Sequence, residues 1–194
     1  MHASVPSATL LGVDGRPVRV EVHASSGLPG FTIVGLPDTT CREARDRVRA
    51  ALLSSSLRWP SQRITVNLAP PALRKAGAGL DLAIAVGLLV ASEQLPLRCL
   101  DDRAFLGELG LDGSIRPVPG ALPLIDALVE PEVIVPEGCA VEAQLIGKAM
   151  PNPPRYGRTG DPTGGKTIVA DDASAVVDHI SARGPPFARK SAFY

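Results

Sequence analysis

Residues 63–92 read RITVNLAPPALRKAGAGLDLAIAVGLLVAS, and this stretch sets the frame for the rest of the chain. Arg63 to Leu68 is rich in β-branched side chains and predicts a strand. Pro70 and Pro71 end it, because proline has no N–H to give a ladder. Gly77 and Gly79 open a segment, Leu80 to Ala91, that is apolar on every side except at Asp81. A helix apolar all round is a buried helix. Asp81 falls in its first turn, where the helix dipole favours a negative charge. Strand, glycine-bearing loop and buried helix form a scaffold, and the loop is where a site belongs.

The totals bound the rest. A chain of 194 residues is one ordinary domain, with room for an appendage and for a core. Lysine plus arginine equals aspartate plus glutamate at 20 each, so the basic excess of a chain that grips nucleic acid by itself is missing. Aromatics are few, which leaves Leu, Val, Ile and Ala to build the core. Cys41, Cys99 and Cys139 are far apart and in no C-x-x-C pair, so neither a metal nor a disulfide is expected and a reducing cytoplasm fits. The longest apolar run, Leu82 to Ala91, is half of the ~20 residues that a membrane helix needs. The N-terminus lacks the basic start of a signal peptide.

Along the chain, Thr9–Val13 and Val18–Ala24 are strand-like, with Asp14-Gly15 as a hairpin signal between them. Val18, Val20 and Val22 alternate with Arg19, Glu21 and His23, the period of a half-buried strand. A run from Phe31 to Val34 follows, then a turn at Gly35-Leu36-Pro37-Asp38. Thr40 and Glu43 suit a capping box for a helix to about Ser55. Its buried stripe is Cys41, Ala44, Val48, Ala51 and Leu52. Beyond the central unit, FLGELGLDGSIRPV carries a second hairpin signal at Asp112-Gly113. Ala121–Val129 reads as a helix, Val133–Val135 as a strand and Ala140–Ile146 as a short helix. Strands alternating with helices, some joined by hairpins, give an α/β fold with a mixed sheet and packed helices. The domain spans residues 8–146 in this reading. Residues 147–167 are a Pro/Gly-rich linker, and 168–194 hold a small strand, a helix and a frayed end.

Three groups of residues invite a functional reading. Gly160 to Thr167 satisfies G-x-x-x-x-G-K-[ST], with Gly160, Gly165, Lys166 and Thr167 in the phosphate-binding places. A working P-loop needs a buried strand before it and a helix after it. The lead-in PNPPRYGRTG is no buried strand, and 27 residues downstream leave no room for a nucleotide fold. A chance match in a linker is favoured; a nucleotide-binding protein using this segment is the alternative. Arg42, Arg45 and Arg49 share a helix face that suits phosphate or an acidic partner, although Glu43 and Asp46 beside them favour a solvated face. Arg74 and Lys75 flank glycines that allow close approach of a ligand or another chain. Ser25, Ser26, Ser54, Ser55 and Ser56 sit at turns or helix ends, and no histidine sits where it serves as their base. Asp101-Asp102 and Asp171-Asp172 read as loop or helix-start residues.

SGLPGFTIVGLPD, REARDRVRAAL, ITVNLAPPALRKAGAGLDLAIAVGLL and LGELGLDGSIRPVPGALP, in this order, resemble the N-terminal domain of the ComM/YifB family, magnesium-chelatase-like AAA+ ATPases. The resemblance covers roughly Ala8 to Ile146. It implies a fold similar to the Lon protease proteolytic domain, placed before an AAA+ motor that uses ATP and Mg. It also implies a role in DNA branch migration, recombination and natural transformation. Expected partners are further copies, an AAA+ module and, through the whole family protein, DNA, with no membrane.

The departures from the family pattern shape the expectation for this chain. The loop that holds the Lon serine reads Gly77-Ala78-Gly79, and the lysine expected after the second hairpin is replaced by Ala121-Leu122-Pro123-Leu124. No protease dyad, no catalytic residue and no metal ligand is expected. Walker motifs and arginine finger are expected beyond the point where the chain stops, as in a truncated product. The expectation is a non-catalytic accessory module without ATPase activity or a cofactor of its own.

Overall fold

A computed structural model of the chain describes residues 1–35, 38–73, 75, 78–145, 158–160 and 166–181. It is a mixed α/β fold built on two four-stranded sheets and a two-stranded ribbon. The first sheet takes β1 (His2–Leu11), β2 (Asp14–Ser25), β3 (Gly30–Val34) and, after helix α1 (Asp38–Ser54), β4 (Arg63–Ala69). Its order is β1-β2-β4-β3, antiparallel except where β3 runs parallel to β4. Helix α2 (Asp81–Ala91) follows, then β5 (Arg103–Phe105) and the ribbon of β6 (Glu108–Leu109) and β7 (Ile115–Arg116). Helix α3 (Ala121–Asp126), β8 (Glu132–Pro136), helix α4 (Ala140–Leu145), β9 (Arg158–Gly160), β10 (Lys166–Ala170) and helix α5 (Ala173–Ser181) complete the order. The second sheet runs β5-β8-β10-β9, with β8 parallel to both β5 and β10.

Helix α2 is the centre. Every one of its residues is buried, Asp81 included, as an all-apolar sequence requires. It lies so close to the first sheet that a Cβ on Gly87 would come within 2.6 Å of a Val22 methyl and 3.2 Å of one from Val5. The alternation of β2 holds: Val18, Val20 and Val22 are buried while Arg19 and His23 face out. β1 joins the two sheets, and the buried Ser7 hydroxyl donates to the Phe105 carbonyl at 2.7 Å.

The first hairpin turns at Gly12-Val13, two residues before the Asp14-Gly15 signal, because Leu11 already pairs with Asp14. Gly12 supplies the positive φ, +65°. Gly15 is needed for a different reason: a Cβ there would fall 1.9 Å from the Pro123 carbonyl oxygen of α3. The second hairpin lies where its signal predicts. Gly113 takes φ +92°, and Ser114 donates its backbone N–H and its hydroxyl to Asp112 Oδ1 at 3.1 and 2.7 Å.

The domain reading closed near Ile146, which lies outside the described residues. The structure continues the sheet past that point, since β10 pairs with β8 from Lys166↔Glu132 to Ala170↔Pro136. Ala170, Ala173, Val176 and Ile180 are buried in the same core as α2. The linker expected over 147–167 therefore contains β9 and the first residues of β10.

Candidate functional site

Asp81 lies in the first turn of α2, where its sequence places it. The structure also buries it, its side chain 2% exposed, against Arg47 of α1. Arg47 Nε donates to Asp81 Oδ2 at 2.7 Å and Nη2 to Oδ1 at 3.2 Å, while the Leu109 N–H reaches Oδ2 at 3.4 Å. Burial pushes the Asp81 carboxyl up to about 6, against the pull of Arg47. The hydrogen bond to Asp81 raises the Arg47 guanidinium. The pair attracts, yet attraction offsets only part of the desolvation. It ties α1, α2 and β6 together.

Lys75 was read as a candidate contact for DNA or a partner. It is 5% exposed, its ammonium donates to the Pro70 carbonyl, and burial lowers its pKa. Its charge faces inward, so it is not placed to meet a ligand at the surface. Arg74, Gly77 and Gly165 lie outside the described residues. Gly160 ends β9 and pairs with Lys166, while Thr167 pairs with Thr159 and Val133. Lys166 and Thr167 thus start a strand, whereas a phosphate-cradling loop leads its Lys-Thr pair into a helix N-terminus. Among the described residues no group of three His, Cys, Asp or Glu is placed to hold a metal ion.

Arg42, Arg45 and Arg49 are all exposed on α1. Arg45 and Arg49, one turn apart, line a cleft of about 440 Å³ with Pro29, Gly30, Phe31, Trp59, Pro60 and Ser61. The Phe31 and Trp59 rings meet at 5.3 Å with planes at 46°, a tilted pair whose undersides pack on the core. Arg45 is paired with the exposed Asp46 at 2.9 Å, and Arg49 makes no ion pair among the described residues. Among the described residues no histidine or carboxylate lines the cleft, and Ser61 meets no base there. The arrangement suits holding an anionic or acidic surface with an apolar element.

Phe31 and Trp59 were not singled out from sequence. A signal was present: between Arg47 and Leu80 there are six cations and no acid, with Trp59 in the middle. From Asp101 to Glu142 the balance reverses, with nine acids and two cations, so zero net charge hides a segregated chain. The expected helix-start role of Asp172 is seen, its Oδ1 accepting the Ala175 N–H at 2.7 Å. Ser54 donates to the Leu111 carbonyl at 2.8 Å and so braces the second hairpin. Cys99 and Cys139 are buried free thiols whose pKa values burial raises. Among the described residues no helix is long and apolar enough to cross a membrane.

A family model described as subunit ChlI of Mg-chelatase matches residues 20–138. The protein named YifB from Escherichia coli K12 is 53% identical over 118 residues, which cover 61% of this chain and 23% of that protein. The YifB of Salmonella typhimurium is 47% identical over 148 residues, 75% of this chain and 29% of its own length. The competence protein ComM of Haemophilus influenzae is 47% identical over 146 residues, 74% of this chain and 29% of ComM. The chain spans about a quarter of the length of these curated relatives.

Proposed function

Since the chain belongs to the family of the Mg-chelatase subunit ChlI, we propose that it is a non-catalytic N-terminal module of a ComM/YifB-type AAA+ ATPase and works by contact. The observation that carries this reading is the cleft of Arg45, Arg49, Phe31 and Trp59, which combines cationic and aromatic groups without an acid–base pair. The chain shares 47% identity with a relative named for competence, which supports a role in DNA uptake and recombination for the whole protein. Branch migration is the activity proposed for that whole protein, with ATP and Mg bound by a motor segment and not by the residues described above. The likeness to a Lon proteolytic domain is proposed as ancestry only. Gly77-Ala78-Gly79 and Ala121 to Leu124 offer neither a serine nor a lysine at the matching places. The cytoplasm is the proposed compartment.

The test is ATP hydrolysis and peptide cleavage by the purified chain, beside Lys166→Ala. No turnover in either protein is expected. ATP turnover that Lys166→Ala abolishes overturns the reading and establishes the Gly160–Thr167 segment as a nucleotide site.

A further inference from the structure

We propose that His2 of β1 and His23 of β2 form a binding site for a divalent first-row transition ion of the imidazole-preferring class, Zn2+ foremost, and that the ion clamps the first hairpin. The inference stands apart from the contact-module reading and uses none of the cleft residues. The chain has three histidines, and the third, His179, lies on α5.

The strand register makes the pair. His2 lies directly opposite His23. One step toward the N-terminus, the Met1 amine donates to the Ala24 carbonyl at 2.7 Å, and the Ala24 N–H donates to the Met1 carbonyl at 2.9 Å. That exchange marks Met1 and Ala24 as a hydrogen-bonded pair, so by alternation His2 and His23 are a non-hydrogen-bonded pair. Pairs of this kind set their Cα atoms about 4.5 Å apart and bring their side chains closest. One step the other way, Ala3 and Val22 are buried in the core with α2. Side chains alternate between faces, so His2 and His23 lie on the face turned away from α2, where both are exposed. Zinc–nitrogen bonds of about 2 Å place two ligand nitrogens roughly 3.3 Å apart in a tetrahedral shell, within reach of two rings on facing residues.

The surroundings suit a cation held by two protein groups, with water in the remaining places. On β4 the same row continues with Thr65, which is exposed and uncharged. Glu21 shares the face two residues before His23, and Asn67 Nδ2 donates to its Oε2 at 2.8 Å. That bond anchors the carboxylate toward β4, so it adds negative charge beside the pair and stays outside the ligand set, in keeping with the lack of a three-residue cluster among the described residues. Arg63 sits one row away, opposite Ser25. Two imidazoles without a carboxylate ligand select zinc-like ions over Mg2+ and Ca2+, which take oxygen.

An ion here ties residue 2 to residue 23 and pins the first residues of β1. The same strand reaches the second sheet through the hydrogen bond from Ser7 to Phe105. An ion that binds only the folded state raises its stability.

Isothermal titration calorimetry of the tag-free full chain with ZnCl2 at neutral pH reads the site. One ion per chain is expected, and about tenfold excess MgCl2 should leave it in place. His2→Gln and His23→Gln should each weaken binding at least about tenfold, since even outer-shell changes cost that much. Zn2+ should raise the melting temperature of the wild type and leave that of either variant unmoved. Both residues are exposed, so circular dichroism should show both variants folded. Proton–nitrogen spectra of the imidazoles test the unsubstituted chain: Zn2+ should move the signals of two histidines and leave those of His179 in place. Absence of zinc binding overturns the proposal, and so does binding that either single variant retains. A spectrum in which His179 moves while His2 and His23 stay overturns it as well. Binding without a rise in melting temperature overturns the clamp.

Discussion

Replacing Arg47 by methionine isolates the cost of the Asp81 carboxylate. Methionine keeps most of the unbranched stem and removes both charged hydrogen bonds, at 2.7 and 3.2 Å. Asp81 then keeps the Leu109 N–H at 3.4 Å, a weak partner at that length. Breaking a buried pair from one side costs about 3–5 kcal/mol when the remaining group must stay charged. With an m-value of about 2 kcal/mol per molar urea, the midpoint should drop by roughly 2 M at pH 8.

Protonation gives the effect a sign in pH. The folded carboxyl is raised to about 6 from 3.8, so the folded state binds more protons than the unfolded state between those values. The contribution of Asp81 to stability is therefore most favourable below pH 3.8 and falls as pH rises through 6, by about 3 kcal/mol in all. Removing Arg47 moves the folded pKa further up. At pH 5 the variant holds a neutral Asp81, and its deficit should shrink to about 1 kcal/mol. Urea titrations followed by circular dichroism at pH 8 and pH 5 measure both. A deficit equal at the two pH values, or below about 1 kcal/mol at pH 8, refutes the claim that an unpaired buried carboxylate dominates the loss.

Gly87→Ala should destabilise by about 1–2 kcal/mol despite alanine's higher helix propensity, because the new methyl meets the stiff Val22 side chain; adding Val22→Ala should recover most of it in thermal melts. Glu132→Ala strands the Arg103 guanidinium, buried between Glu132 and the Cys99 carbonyl at 3.0 Å, and should cost about 3–5 kcal/mol by urea titration. In a Cys41→Ser background, Cys99 and Cys139 should react with a thiol reagent at pH 8 only at the rate of unfolding, so a fast native phase counts against their burial.

What the sequence reveals is what short-range pattern encodes. β4 and α2 lie within a residue of where periodicity places them, because an apolar run between prolines and glycines has few other ways to be buried. α1 begins two residues before its capping-box position and ends one residue before Ser55. Asp14-Gly15 misled because glycine answers two needs, positive φ in a turn and close packing, and only the tertiary fold shows that Pro123 imposes the second. The Arg47–Asp81 pair crosses 34 positions, and helical spacing carries no trace of a contact that distant. Arg45 and Arg49 were visible as a basic face, while Phe31 and Trp59 join them only because β3 and β4 run side by side.

The place of β10 has a consequence for synthesis. β8 lies between β5 and β10, and β10 together with α5 arrives only after residues 146–165 have been made. A ribosome adding about 5–20 residues per second spends roughly 2 to 7 s between Ile146 and Ile180. From the time β8 leaves the ribosome until β10 follows it, an interval of the same length, the nascent chain holds a nearly finished first sheet beside an uncovered edge of β8, whose residues Val133, Ile134 and Val135 are all buried once folding is complete. Bare apolar edges of this kind recruit foreign strands. Slowing elongation at codons 146 to 165 should therefore lower the soluble yield, and a holdase present during translation should restore it.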